Sequence, residues 1–282
     1  MPAPPPDARS TRAFVTRVDA CGDDAVVLAL RPELPVGPVC ASRFFMLKRA
    51  DRLSPLIPRP FSVYRQVGDE LEFLIKVMGR GTRALAEAQV GQELVLVGPL
   101  GNGWPELDGD GAPWVFLAGG VGSAPFYMAI EQALAGRDGV NPCRPDQVHF
   151  FFGAATKGFL YDLDRFRELG VSVHAATMDG SAGFKGNVLE LLASLQDSGD
   201  VPAKVRILGC GPDPMLAAVE RWTAERELDC WLSLETLMGC GVGICNGCPV
   251  PTREDGPLGD WPNAKCCVEG PVFSTRAITL QH

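Results

Sequence analysis

The segment "LMGCGVGICNGCPV" (237–250) places Cys240, Cys245 and Cys248 at the spacing C-x4-C-x2-C, and Cys266 and Cys267 follow after one further loop. Thiols gathered this way can close disulfides, hold zinc, or hold iron and sulfide. Structural zinc is usually gripped by two separated C-x2-C pairs, and here there is one. C-x4-C-x2-C with a distant fourth cysteine is the plant-type spacing of a [2Fe–2S] centre. The interleaved Gly239, Gly241, Gly243 and Gly247 fit that reading. A loop without side chains can wrap tightly and aim its N–H groups at sulfur. Iron–sulfur is favoured over zinc, and disulfides come third on grounds of compartment. Spacing alone admits either Cys266 or Cys267 as the fourth ligand.

Three further stretches could bind redox cofactors. In "RPFS" (59–62) Arg59 brings a cation, Pro60 a rigid turn and Ser62 a hydroxyl to the start of a strand; "GRGT" (79–82) ends a strand at Gly81 and Thr82 and opens a helix. Together they suit a flavin, with phosphates on Arg59, Gly81 and Thr82 and the ring against strand residues such as Ile75 and Val77. "GGVGSAP" follows the apolar run "WVFLA", so Gly120 and Gly122 could let a pyrophosphate approach the backbone. The fingerprint is incomplete, because "AATK" stands where an acidic residue would bind a ribose. "GCGPDPM" (209–215) sets Cys210 and Gly211 at the C-terminal edge of a sheet, where Cys210 could touch a nicotinamide.

The elements that must position these residues divide the chain. After a disordered lead (1–10), residues 11–105 alternate as strands around one short helix, "TRALAEA", and are expected to form an antiparallel β-barrel for FAD. "ELEFLIKVM" is the plainest strand, with Leu71, Phe73, Ile75 and Val77 alternating. Residues 112–228 alternate apolar strands with helical patterns, which predicts an α/β domain with a parallel sheet binding NAD(P). A helix is expected from about Ala124; Asn187 with Glu190 resembles a capping box; Asp213 and Pro214 read as an N-cap and a proline at N1. Residues 229–282 form a small C-terminal [2Fe–2S] cysteine-loop domain.

Composition narrows the function classes. A net charge of −8 over 282 residues argues against nucleic acid as partner, and three histidines leave little room for His-based metal catalysis. The lead "MPAPPPDARS" lacks the apolar core of a secretory signal, and the apolar stretch from Trp114 to Ile130 is punctuated by Gly119, Gly120, Gly122 and Pro125. No membrane span and a cytoplasmic location are expected.

In this order, "RPFS", "GT", "GGVGSAP" and "GCGPDPM" resemble the ferredoxin–NADP reductase superfamily. "MGCGVGICNGC…CVEGPVF" and "GPLGNGW" (98–104) resemble the electron-transfer subunits of NAD-dependent, class 1B dihydroorotate dehydrogenases. The resemblance implies FAD held by Arg59, Ser62, Gly81 and Thr82, and NAD around Gly120, Gly122 and Cys210, with NADP left open. It also implies Cys267 as last ligand, because that ligand stands three residues before the glycine of "GPVF". The implied partner is an FMN-containing catalytic subunit, two copies of each chain forming a heterotetramer in pyrimidine biosynthesis. Small flavin subunits of NADH-dependent ferredoxin:NADP oxidoreductases and of hydrogenase or sulfur-reductase complexes share the architecture; the former carry aspartate where Cys240 stands. A zinc-stabilised interaction protein without redox turnover is the alternative of a different class.

Overall fold

The computed structural model describes residues 7–51, 56–137 and 139–280. The first seven strands are β1 (Arg9–Cys21), β2 (Ala25–Pro32), β3 (Phe44–Arg49), β4 (Arg59–Ser62), β5 (Arg65–Val67), β6 (Glu70–Lys76) and β7 (Glu93–Leu100). They form one antiparallel sheet in the order β4-β3-β7-β1-β2-β6-β5. The sheet curls so that its two ends meet. Between β4 and β5, the N–H of Val63 bonds Arg43 O at 3.0 Å and that of Tyr64 bonds Glu72 O at 2.9 Å, tying one end to the other. Phe45, Phe73, Leu28, Leu71 and Leu96 fill the interior, and helix α1 (Arg80–Ala86) plugs one mouth. Of the lead expected over 1–10, residues 1–6 lie outside the described residues, while Arg9 and Ser10 already belong to β1.

The second sheet contains β8 (Trp114–Gly119), β9 (Val148–Ala154), β10 (Ser172–Thr177), β11 (Phe184–Lys185), β12 (Arg206–Cys210) and β13 (Cys230–Ser233). The C-terminal segment adds β14 (Pro249–Pro251) and β15 (Asn263–Lys265), which pair with each other, and β16 (Val272–Ser274). The sheet order is β11-β10-β9-β8-β12-β13-β16; all neighbours are parallel except β16, which runs antiparallel to β13. The segment 229–282 therefore supplies two strands to the nucleotide sheet and is not a separate layer. β8 is buried at every position, as expected of a parallel strand covered on both faces. Phe116, Phe150 and Phe152 pack with Phe126 and Phe166 on one side; Val115, Leu117 and Phe151 pack with Val188, Leu192, Leu216 and Val219 on the other.

The connecting helices are α2 (Phe126–Ala135), α3 (Leu163–Glu168), α4 (Val188–Asp197) and α5 (Asp213–Ala224). Asn187 caps α4, accepting from Leu189 and Glu190 N–H at 2.9 and 3.0 Å, and Glu190 returns the bond to Asn187 N–H. That is the reciprocal box expected. At α5 the cap is Pro212, which makes Asp213 the first helical residue and Pro214 the second. The helix expected from Ala124 begins at Phe126, after a 3-10 turn over Gly120–Ser123.

Barrel and nucleotide sheet meet through a charged network. Asp162 accepts from Tyr64 Oη at 3.0 Å and from Cys21 Sγ at 3.3 Å. Glu72, almost fully buried, accepts from Arg17 at 2.6 Å and Arg165 at 3.2 Å. No described helix is long and apolar enough to cross a membrane.

Candidate functional site

The cysteine loop has no regular structure, and its path is set by left-handed residues: Gly241 at φ +73°, Gly243 at +80° and Asn246 at +54°. A Cβ on Gly241 would sit 2.6 Å from Met46 Cγ, so the loop lies directly on β3 of the barrel. Gly239 and Gly247 both flank Cys245 Sγ, which a Cβ on either would touch at an ordinary 3.4 Å. The N–H groups of Val242 and Cys245 both point at Cys240 Sγ, 3.4 Å away. Cys248 Sγ and Cys267 Sγ lie 3.3 Å apart, across the pairing of β14 with β15.

The four thiols thus fall into two pairs, Cys240 with Cys245 and Cys248 with Cys267. A two-iron cluster is held by thiolates distributed over two irons, and a donor set of two pairs fits that arrangement.

The electrostatics favour thiolate at Cys240 and Cys248. Burial opposes the charge on Cys240, but the N–H groups of Cys245 and Val242 outweigh it and bring that thiol down to about 7. The hydrogen bond from Cys267 lowers Cys248, while Cys267, holding the proton between them, is pushed up. A metal that displaces this shared proton gains both sulfurs at once. Cys266 is wholly buried, donates to Leu234 O at 3.6 Å, and is pushed up to about 12 by burial. Cys267 Sγ thus faces Cys248 Sγ, whereas Cys266 Sγ faces Leu234 O.

The barrel reaches this site through Asn102. Its Nδ2 donates to Glu269 O and Val272 O, 2.8 Å each, its Oδ1 accepts from Val272 N–H at 3.0 Å, and its own N–H donates to Gly270 O at 2.6 Å. "GPLGNGW" is therefore the socket for the turn that follows Cys267. Phe44, Met46 and Leu100 of the barrel share one apolar cluster with Cys248, Cys266, Cys267 and Phe273.

On the barrel, Arg59 opens β4 and lies across Gly81 of α1, where a Cβ would come within 2.5 Å of Arg59 Nε. Leu47, Lys48, Ile57 and Ala84 line the small cavity around this pair. Pro60 and Ser62 are half-buried on the same strand. Thr82 is already engaged: its Oγ1 accepts from Met78 and Gly79 N–H and donates to Gly79 O, capping α1. Ile75 points into the barrel core, whereas Val77 is half-exposed just beyond β6.

At the C-terminal edge of the parallel sheet, the loops after β8 and β12 touch backbone to backbone. A Cβ on Gly122 would meet Cys210 O at 2.3 Å, and one on Gly211 would meet Gly119 Cα at 3.1 Å. Gly122 and Gly211 are thus required by the contact between the loops. Gly120 is the glycine that leaves open space, at φ +54° with nothing within 4 Å of a Cβ. Cys210 ends β12, in register with Ala118 and Ser233, and burial pushes its thiol up to about 12.

Asn102 and the Tyr64–Asp162 network are the parts that motif reading missed. "GPLGNGW" carried a signal for the first; nothing local marks the second.

Comparisons with known proteins give the family and the fold. A profile of the iron–sulfur cluster binding domain of dihydroorotate dehydrogenase B matches residues 235–279, and one of the oxidoreductase NAD-binding domain matches residues 116–221. The dihydroorotate dehydrogenase B (NAD(+)) electron transfer subunit of Lysinibacillus sphaericus is 34% identical over 90% of this chain and 92% of its own. That of Bacillus mycoides is 33% identical over 84% and 86%. Among solved structures, an NADH-dependent reduced ferredoxin-NADP oxidoreductase superposes with a TM-score of 0.76 at 24% identity, covering 95% of this chain and 90% of that one. A ferredoxin NADP+ reductase from Neisseria gonorrhoeae gives 0.63 at 20%, covering 77% and 91%.

Proposed function

Because the chain belongs to the family of dihydroorotate dehydrogenase B electron transfer subunits, we propose that it carries electrons from a catalytic partner to NAD by way of a [2Fe–2S] cluster and FAD. The observation that carries this reading is the pairing of Cys240 with Cys245 and of Cys248 with Cys267 on the outer wall of the barrel. Bound FAD would supply hydride exchange with the nicotinamide and single-electron exchange with the cluster, chemistry that is the cofactors' own.

The chain's residues bind and orient. Cys240, Cys245, Cys248 and Cys267 ligate the irons, and the N–H groups of Val242 and Cys245 neutralise the charge on the Cys240 sulfur. Arg59 holds the FAD phosphates over Gly81, whose missing side chain lets the guanidinium lie flat. Pro60 and Ser62 line the flavin on β4 and Val77 on β6. Ile75 and Thr82 support it from the core and from the cap of α1. Gly120 admits the dinucleotide phosphates, while Gly122 and Gly211 hold the two loops together beneath them. Cys210, protonated and at the sheet edge, contacts the nicotinamide as a neutral thiol.

The partner is a flavin-containing catalytic subunit carrying FMN, in a heterotetramer with two copies of each chain, working in the cytoplasm. It meets this chain where the cysteine loop is most open: Cys245 is exposed and its neighbour Ile244 is 81% exposed. Deprotonation of dihydroorotate is assigned in this reading to the partner. The domain limits are those of cofactor binding: FAD over 11–105, NAD over 112–228, cluster over 229–282.

The deciding experiment is the absorption spectrum of the purified chain with analysis of iron, acid-labile sulfide and FAD. Flavin bands over broad visible iron–sulfur absorbance, with two irons per FAD, are expected. A colourless protein containing zinc would refute the reading.

A further inference from the structure

Lys265 ends β15, two residues before Cys267, and has no part in the chemistry described so far. Its Nζ crosses to the cysteine loop and donates to Gly243 O at 2.8 Å. Gly243 lies between Cys240 and Cys245, and its own N–H faces Cys267. A Cβ on Gly243 would meet Val268 Cγ2 at 2.7 Å, so the loop is pressed against the turn that carries the last thiol. The main chain of Lys265 is fixed on that same turn. Its N–H donates to Glu269 Oε2 at 2.6 Å, and its carbonyl accepts from Val268 and Glu269 N–H, 2.9 Å each. One residue therefore ties the loop of Cys240 and Cys245 to the turn of Cys267.

The tie is also charged. The thiolates and Glu269 gather negative charge, and the Lys265 ammonium is the cation bonded into the middle of the cysteine loop. Reduction adds one more negative charge to a [2Fe–2S] cluster, and cluster potentials respond to nearby charge and hydrogen bonding. A fixed cation stabilises the reduced form more than the oxidised form.

We propose that Lys265 is a positioning residue for the cluster: it holds Gly243 against the Cys267 turn and, through its charge, raises the cluster's reduction potential. The proposal rests on the iron–sulfur reading above.

The test uses the full-length chain as wild type, Lys265→Met and Lys265→Arg. Iron, sulfide and FAD are counted first, and the midpoint potential is then taken from a redox titration followed by electron paramagnetic resonance. Lys265→Met is expected to shift the oxidised-to-reduced ratio at a fixed potential roughly tenfold toward oxidised, about 59 mV for a one-electron couple. Lys265→Arg is expected to stay near wild type. If Lys265→Met loses iron and sulfide but keeps FAD, restoration by Lys265→Arg supports the positioning role. Wild-type potentials and iron contents in both variants overturn the proposal, and so does an iron loss that arginine fails to restore. A wild-type chain without iron would instead remove the iron–sulfur reading itself.

Discussion

Asn102 and Val272 are joined by two reciprocal hydrogen bonds, Nδ2 to carbonyl at 2.8 Å and N–H to Oδ1 at 3.0 Å, across 170 residues of sequence. The pair locks the end of the barrel to the strand that follows Cys267. Asn102→Ala removes all three side-chain bonds and leaves backbone groups of Glu269 and Val272 unpaired. A loss of about 2–3 kcal/mol is expected, read as a lowered denaturant midpoint. Iron content should fall relative to FAD.

The adjacent cysteines should behave oppositely. Cys267→Ser is expected to abolish visible iron–sulfur absorbance while FAD bands persist. Cys266→Ala deletes one buried sulfur facing Leu234 and should keep a full cluster, at a stability cost of about 1–2 kcal/mol. Full absorbance in Cys267→Ser with loss in Cys266→Ala would reverse the ligand assignment.

Arg59→Ala and Gly81→Val should both weaken FAD, the first by losing the cation and the second by displacing it. Charge-assisted hydrogen bonds contribute roughly 1.5–3 kcal/mol, so a ten- to hundredfold rise in the FAD dissociation constant is expected by fluorescence titration. Iron should be retained in both; its loss alongside FAD would contradict the division of labour between barrel and cysteine loop.

These assignments were legible in the sequence to different depths. The cysteine spacing, "RPFS", "GRGT" and the two glycine loops stood out because each sets particular residue types at fixed offsets. β1 was partly hidden because "RSTRAFVTRVDAC" mixes exposed arginines into its alternation. β13 and β16 were concealed by length: three or four residues carry no period, and their place comes from pairing partners far away in the chain. The packing at Gly122 was not legible, because the motif does not record that another loop lies against its Cα. The Pro212 cap was obscured by Asp213, a residue type equally at home at the cap and in the first turn.

Stability should also depend on two stacked histidines. His149 and His174 lie on neighbouring strands with ring centroids 5.8 Å apart, and His149 Nδ1 and His174 Nε2 are buried without partners. Burial lowers both, and the charge of His149 adds to it at His174, which drops to about 4. Lowered folded values mean that protonation favours the unfolded chain. The stability is therefore complete above pH 6.5 and is lost as pH falls toward 4. His174→Phe, stacked on Phe151, should flatten the denaturant midpoint over that window; an unchanged slope would show that the carboxylates alone govern it.

Glu72→Gln tests the junction of barrel and nucleotide sheet. Arg17 and Arg165 would share a neutral partner in a buried position. Breaking such a pair costs about 3 kcal/mol or more, expected as a loss of several degrees in melting temperature with cofactor content unchanged in the surviving fold.

β16 has a consequence for how the chain could be cut. It covers the outer side of β13 with three residues that come from beyond the cysteine loop. Cutting the chain after β13 would strip that cover and bare a row of unpaired backbone groups, an invitation to pair with another molecule. A shortened reductase made from the barrel and the nucleotide sheet alone would therefore be prone to self-association, and the iron-binding tail doubles as the guard against it.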